Sequence, residues 1–230
     1  MRPKNKLAIF DIDGTLTDSV SVHQTAFVFA FEEMGLADFD TNWGGYKHHT
    51  DSYIFDSIFQ LQFHRSTTKE DVEVFENALE KYIAIGAATN PITEIREARY
   101  FLNALTHHSD FDIVFATGSL MKPAIQKLLL ADIPIHPSLI SSANEILTRE
   151  ELLLKAIEKA KEHYGNEHYD QIISFGDGLW DYETAKKLNI DFIGIGNRKL
   201  LDYGVTNFFL DFTHSELFEL LNVKALARLR

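Results

Sequence analysis

Short apolar runs recur along the chain and are the main signal for its fold. In order, they lie at 7–10, 112–116, 139–142, 172–175 and 192–195. Continuous apolar runs of this length are typical of strands that are buried on both faces, as in parallel sheets. Between the later runs the periodicity is helical, at about 121–130, 148–163 and 181–188. The alternation predicts an α/β fold with a doubly wound parallel sheet.

A long segment between the first two runs interrupts this alternation. Roughly 100 residues separate them, far more than one crossover connection needs. The segment has helical patterns of its own, at Val22–Met34, Tyr53–Phe59 and Lys69–Ile83. We therefore predict a core domain formed by residues 1–17 and 96–230 and an inserted, mostly helical cap domain at 18–95.

Composition and charge restrict the partners that can be expected. The chain has 230 residues, 45% of them apolar, and a formal net charge of −12. Because no block of Lys or Arg offsets this acidity, nucleic acid and anionic membrane surfaces are poor candidates. The chain has no apolar stretch long enough for a membrane span and no evident signal peptide, so we expect a cytoplasmic protein. An anionic substrate would need local positive charge, for which a bound metal ion is a candidate.

Pairs of acidic residues follow two of the predicted strands. Asp11 and Asp13 come directly after the first run, and Asp177 and Asp181 follow the fourth. Ligands of open α/β sheets bind beyond the carboxyl ends of the strands, where these residues would meet. Carboxylates without His or Cys are ligands that suit Mg²⁺. Taken singly, each pair could instead belong to an ordinary turn or loop.

Two further features point to phosphate. Thr117, Gly118 and Ser119 follow the second run and open a helix. A hydroxyl, a flexible glycine and exposed backbone N–H groups at a helix start can hold a phosphate. An ordinary helix N-cap is the alternative interpretation of this segment.

The second feature is a cation at the start of the helix predicted at 148–163. Thr148 and Glu151 have the spacing of a capping box, which fixes the first turn. At about 100° per residue, Arg149 falls on the same face as the apolar Leu153, whereas Lys155 falls on the opposite face. We therefore favour Arg149 over Lys155 as the residue that reaches the sheet edge, with a surface ion pair as the alternative.

In this order, the motifs resemble those of the haloacid dehalogenase superfamily, specifically its phosphatase branch. The resemblance covers the predicted core, at about 5–20 and 110–200. The matching residues are Asp11–Thr15, Thr117, Arg149, Asp177 and Asp181. The family more often has Lys where this chain has Arg149 or Lys155. The insertion resembles the cap module of β-phosphoglucomutase and phosphoglycolate phosphatase relatives.

The resemblance implies a Mg²⁺-dependent phosphatase that acts on a small phosphorylated metabolite. Asp11 would be the nucleophile that forms an aspartyl-phosphate. Asp13 would be the general acid and base, with a pKa raised by the neighbouring carboxylates. The ligands of Mg²⁺ would be Asp11, the backbone carbonyl of Asp13 and Asp177, with Asp181 orienting a metal-bound water. Thr117, Gly118 and Arg149 would hold the other phosphate oxygens.

The substrate contacts and the exact reaction are less constrained by the sequence. A segment at 42–51 combines glycines, aromatic rings and polar groups, and Trp43, Tyr46 and Lys47 are its candidate substrate contacts. The alternative is that this segment only packs the insertion through its Trp. A phosphomutase of the same fold and a non-catalytic binding protein remain alternative functions. The sequence predicts neither the substrate nor the oligomeric state.

Overall fold

The computed structural model describes residues 4–144 and 146–223 of the chain. Within these ranges the strands are β1 (Lys6–Phe10), β2 (Thr17–Asp18), β3 (Thr93–Glu94), β4 (Phe111–Ala116), β5 (Ile140–Ser141), β6 (Gln171–Gly176), β7 (Asp191–Ile195) and β8 (Phe208–Phe209). The helices are α1 (Val20–Glu33), α2 (Asp51–Phe63), α3 (Lys69–Thr89), α4 (Ala98–His108), α5 (Met121–Leu130), α6 (Arg149–Tyr164), α7 (Leu179–Lys187), α8 (Lys199–Asp202) and α9 (Ser215–Leu220). Short 3₁₀ turns lie at Trp43–Gly45 and Pro137–Leu139.

A parallel six-stranded sheet flanked by helices forms the core. Its strand order is β5-β4-β1-β6-β7-β8. β1 lies inside the sheet, and the apolar residues from Leu7 to Phe10 are completely buried, as expected for an inner parallel strand covered on both faces. The predicted α/β fold with a parallel sheet is therefore confirmed.

The register of the central strands brings the candidate residues together. Phe10 pairs with Phe115 on β4 and with Phe175 on β6. The three strands therefore end at nearly the same level. The residues that follow them, from Asp11, Thr117 and Asp177 onwards, meet at one edge of the sheet.

The segment between β2 and β3 is helical, contains α1, α2 and α3, and is here called the insertion. The chain enters and leaves it through the antiparallel pair β2–β3. Aromatic rings fill its interior: Phe75 stacks on Phe55 at a centroid distance of 4.3 Å and on Phe31 at 5.0 Å. Burial of these large apolar side chains stabilises the insertion. In the ranges that the structure describes, no helix is both long and apolar enough to cross a membrane.

Candidate active site

Three carboxylates form a cluster at the carboxyl edge of the sheet. One oxygen each of Asp11, Asp177 and Asp181 lies within 4.8 Å of the other two. Gly14 lies directly beside this cluster, with a φ of +78°. A Cβ at Gly14 would overlap the carboxylate of Asp177. A glycine is therefore needed both for the turn after β1 and for the space of the cluster.

Burial and mutual repulsion make the cluster unfavourable when it is fully ionised. Burial, followed by the charge of Asp181, raises the pKa of Asp11 to about 7. Burial, followed by the charge of Asp11, raises the pKa of Asp177 well above its ordinary value. Burial also raises the pKa of Asp181. A divalent cation would relieve this repulsion, and hard carboxylate oxygens are the donors that Mg²⁺ prefers. The residues therefore fit such an ion.

This cluster predicts that Mg²⁺ stabilises the fold more at high pH than at low pH. Because the pKa of Asp11 rises from 3.8 to about 7, the folded protein binds more protons than the unfolded chain in this window. Without metal, the free energy of unfolding therefore falls as the pH rises from 3.8 to about 7, and the full loss is reached above about 7. The increase in Tm that Mg²⁺ gives relative to EDTA should be larger at pH ~8 than at pH ~5.

A suitable control separates this cluster from other titrating groups. Asp11→Asn should reduce the pH dependence of the Mg²⁺ effect, to which Asp177 and Asp181 still contribute, whereas Asp18→Asn, at an exposed position on β2, should leave it unchanged. The lowered pKa of His49, caused by burial and Arg149, makes the fold more stable as the pH rises, which is opposite to the effect of Asp11. This contribution cancels because each Tm in Mg²⁺ is compared with the Tm in EDTA at the same pH. A Mg²⁺ effect that is equal at both pH values would contradict a cation site in the cluster.

Arg149 is the cation that lies against the cluster. Its Nη1 is 3.1 Å from Oδ1 of Asp11 and 3.3 Å from Oδ1 of Asp181. Thr148 caps the helix by accepting a hydrogen bond from the N–H of Glu151, which sets Arg149 in the first turn of α6. The side chain of Arg149 is only 12% exposed.

Lys155, the alternative cation, lies elsewhere. Its side chain is 52% exposed and pairs with Glu158 at 2.9 Å. The same face of α6 that carries Arg149 buries Leu153 and Ala156. The structure thus places Arg149, and not Lys155, at the sheet edge.

The segment after β4 lies beside Arg149. The N–H of Ser119 donates to Oγ1 of Thr117 at 3.0 Å, and Thr117 itself is buried. Gly118 approaches its neighbours so closely that a Cβ there would meet the carbonyl of His49 and the guanidinium of Arg149. Thr117, Gly118 and Arg149 are therefore adjacent, as a phosphate cradle requires.

Asp13 points away from the carboxylate cluster. Its Oδ1 accepts a hydrogen bond from Oγ of Ser19, and its Oδ2 accepts one from Nζ of Lys127, each at 2.5 Å. Burial raises the pKa of Asp13, but Lys127 and His23 outweigh this effect and lower it to about 2. The expectation that neighbouring carboxylates raise this pKa is therefore wrong, because a buried lysine dominates the surroundings of Asp13. In the free protein, Asp13 is ionised.

Lys127, which the sequence did not point out, forms a cluster of polar side chains with Asp13, His23, Asp51 and Ser119, here called the lysine cluster. Its side chain is completely buried, and Nζ lies 3.0 Å from Oγ of Ser119 and 3.2 Å from Nδ1 of His23. Because an ammonium group only donates, Nδ1 of His23 must accept. Nε2–H then donates to Oδ1 of Asp51 at 3.1 Å, and Ser119 donates to the other oxygen of Asp51. The cluster therefore connects the insertion to the core.

A cavity of about 180 Å³ lies between the carboxylate cluster and the insertion. Besides residues of the two clusters and the phosphate cradle, it is lined by Val20, Gln24, Phe27, Trp43, Gly44, His49, Ile54 and Trp180. The ring of His49 stacks on Trp180 at a centroid distance of 4.1 Å, which closes one side. Trp180 was another residue that the sequence did not single out.

The predicted substrate contacts have different locations. Trp43 lines this cavity, whereas Tyr46 and Lys47 line two other cavities at the surface. The hydroxyl of Tyr46 donates to the carbonyl of Asp40 at 2.8 Å, which holds the ring at the outer side of the insertion. Of the three, only Trp43 is in a position to contact a ligand above Asp11.

Comparison with protein families agrees with this geometry. The family model for haloacid dehalogenase-like hydrolases matches residues 5–189. The chain therefore belongs to the haloacid dehalogenase-like hydrolases, as its motifs suggested, and it is a hydrolase. A search of curated proteins gives no match.

Solved structures with the same fold share little sequence with this chain. A hydrolase from Pseudomonas syringae is 21% identical with a TM-score of 0.62, and covers 90% of this chain and 93% of its own. CbbY from Rhodobacter sphaeroides in complex with xylulose-(1,5)bisphosphate is 13% identical with a TM-score of 0.66, covering 91% and 95%. A predicted phosphatase from Clostridium acetobutylicum is 22% identical with a TM-score of 0.59, covering 94% and 99%. At these identities the likeness establishes the fold alone.

Proposed function

We propose that the protein is a Mg²⁺-dependent phosphatase that hydrolyses a small organic phosphate monoester through an aspartyl-phosphate on Asp11. The main support is the position of Asp11, which lines one cavity together with Asp177 and Arg149 and lies beside the carboxylate of Asp181. Such an arrangement provides a nucleophile and positive charge for a transferring phosphoryl group. The family and the phosphatase among the solved neighbours are consistent with this reaction.

The first half-reaction would use the groups at the ends of β1 and β4. A carboxylate oxygen of Asp11 attacks phosphorus, the bond to the leaving oxygen breaks, and an acyl phosphate forms. Arg149, the hydroxyl of Thr117 and the N–H of Gly118 hold the non-bridging oxygens as their charge changes. Bound Mg²⁺ would be held by Asp11, Asp177, Asp181 and the carbonyl of Asp13. Its positive charge would offset the repulsion between the phosphate and Asp11.

Asp13 would handle the proton in both half-reactions. Because it is ionised in the free protein, it must take up a proton together with the substrate before it can protonate the leaving oxygen. It is then ionised again and can accept a proton from the water that hydrolyses the aspartyl-phosphate. The low pKa of Asp13 in the free protein keeps the carboxyl group in the ionised form that this second role requires.

The proposal predicts phosphate release that depends on both Mg²⁺ and Asp11. The test measures release of inorganic phosphate from a panel of alkyl, aryl and sugar phosphates, in Mg²⁺ and in EDTA. Wild type and the exposed control Asp18→Asn should release phosphate only in Mg²⁺, whereas Asp11→Asn should not release it at all. Release that persists in EDTA, or in Asp11→Asn, would show that another mechanism operates.

A further inference from the structure

We infer that the site is selective for esters with a single phosphate and an uncharged, largely apolar organic part, and that it rejects substrates with a second anionic group. This inference rests on the proposed phosphatase function and names its substrate class. It follows from the surfaces that a leaving group would meet once its phosphate lies against Asp11 and Arg149.

The wall opposite the carboxylate cluster is mainly apolar. The helical insertion contributes four apolar side chains to the cavity: Val20, Phe27, Trp43 and Ile54. Gln24 and Gly44 add uncharged polar surface. An apolar or aromatic group of a substrate would lose water-exposed area against these side chains, which favours its binding.

The cavity has little positive charge to offer a second anion. Among the described residues that line it, Arg149 is the only Lys or Arg, and it already contacts Asp11 and Asp181. Lys127 lies behind the lining, and Asp13, His23 and Ser119 use its three donors. Lys47 lines a neighbouring cavity instead.

The two histidines that line the cavity are also poor partners for a second anion. The pKa of His49 is lowered to about 4, first by burial and then by Arg149, so that its ring is neutral near pH 7. Both ring nitrogens of His23 are already used, because Nδ1 contacts Nζ of Lys127 and Nε2 contacts Oδ1 of Asp51. Asp51 adds a further negative charge to the lining. A second phosphate or a carboxylate would thus lose its hydration without gaining a cation.

The size of the cavity is consistent with a small substrate. Its volume of about 180 Å³ is less than that of most small-molecule sites, which hold roughly 300–1,000 Å³. The small volume and the lack of a second cation in the lining also disfavour the phosphomutase alternative, because a mutase of this fold must hold a sugar bisphosphate. The bisphosphate bound to CbbY is a property of that protein, and its likeness to this chain extends only to the fold.

The inference is tested with two aryl esters that differ by one charge. We expect kcat/KM in Mg²⁺ to be at least about tenfold higher for phenyl phosphate than for para-carboxyphenyl phosphate, because the carboxylate meets an apolar wall and Asp51. The variant Gln24→Lys places an ammonium group on this wall and should reduce the ratio of the two values by raising kcat/KM for the carboxylated ester. Gln24→Met, which removes the amide without adding charge, should keep the wild-type ratio or increase it.

The outcomes separate this inference from the proposed function. Mg²⁺-dependent hydrolysis with equal or higher kcat/KM for para-carboxyphenyl phosphate, or for a sugar bisphosphate over its monophosphate, would overturn the substrate class and leave the phosphatase intact. A ratio that Gln24→Lys does not change would place the leaving group away from this wall and overturn the inference as well. If neither these esters nor any other phosphate ester is hydrolysed in Mg²⁺, the proposed function itself fails.

Discussion

Arg149→Ala is expected to lower kcat/KM for phosphate esters by about 10²–10³-fold, the loss typical when one charge-stabilising donor is removed from an active site. Two effects act in the same direction. The phosphate loses a planar, charged donor close to Asp11, and the carboxylate cluster loses the cation that lies against it. The measurement is steady-state release of phosphate at saturating Mg²⁺.

Lys155→Ala is the matched control for this substitution. It removes a cation from the same helix, but from an exposed ion pair with Glu158 that contributes little. Its kcat/KM should therefore remain within about twofold of wild type. Arg149→Lys should have an intermediate value, because a lysine keeps the charge but lacks the guanidinium fork. Equal losses for Arg149→Ala and Lys155→Ala would disprove the role given to Arg149.

The features that the sequence predicted well depend on strong local patterns. Leu7–Phe10 had four apolar residues in succession and is an inner strand of the sheet. The placement of Arg149 followed from a capping pair and helical geometry, both of which depend on a few neighbouring residues. When such a pattern also ends at the carboxyl edge of a parallel sheet, the chemistry of the following residues can be anticipated.

Two elements were missed for different reasons. The strand β8 has only two residues, too few for any periodicity, and it depends on its pairing with β7 more than on local preference. The helix α4 begins after Glu97, which has a φ of +64° and no capping hydrogen bond from its side chain, so its start had no recognisable residue pattern. Its buried face, formed by Ala98, Phe101, Leu102 and Leu105, nevertheless has helical spacing, so the helix itself was predictable.

The surroundings of Asp13 show why a pKa is harder to predict than a position. The sequence placed Asp13 beside other acids, and this suggested a raised pKa. The dominant partner is Lys127, which is distant in the chain and lies on α5. A signal was present, because Ala124 and Leu128 mark the buried face of α5 and Lys127 occupies a place on it. A lysine on an otherwise apolar face needs a buried partner, but the sequence does not say which.

Lys127→Met is expected to lower kcat/KM for an alkyl phosphate such as butyl phosphate by about 10²-fold. Lys127 holds Oδ2 of Asp13, and without it the bond from Ser19 to Oδ1 is the one side-chain hydrogen bond that the described residues give this carboxyl group. Misplacement of a catalytic group by about 1 Å can cost about 10²-fold in rate. An alkoxide must be protonated as it leaves, whereas para-nitrophenolate leaves without a proton. Because kcat/KM reports the step in which the leaving group departs, para-nitrophenyl phosphate should lose much less.

The comparison of the two esters distinguishes positioning of Asp13 from a general loss of structure. Removal of a buried cation also destabilises the fold, but a smaller folded fraction would lower both kcat/KM values equally and leave their ratio unchanged. Lys122→Met, on the same helix, should keep the wild-type ratio, because the ammonium group of Lys122 bonds only to Asn77 among the described residues. If Lys127→Met lowers both esters equally, Lys127 stabilises the core without orienting the proton donor. A larger loss for the alkyl ester means that this buried lysine, outside the recognised motifs, sets the position of Asp13.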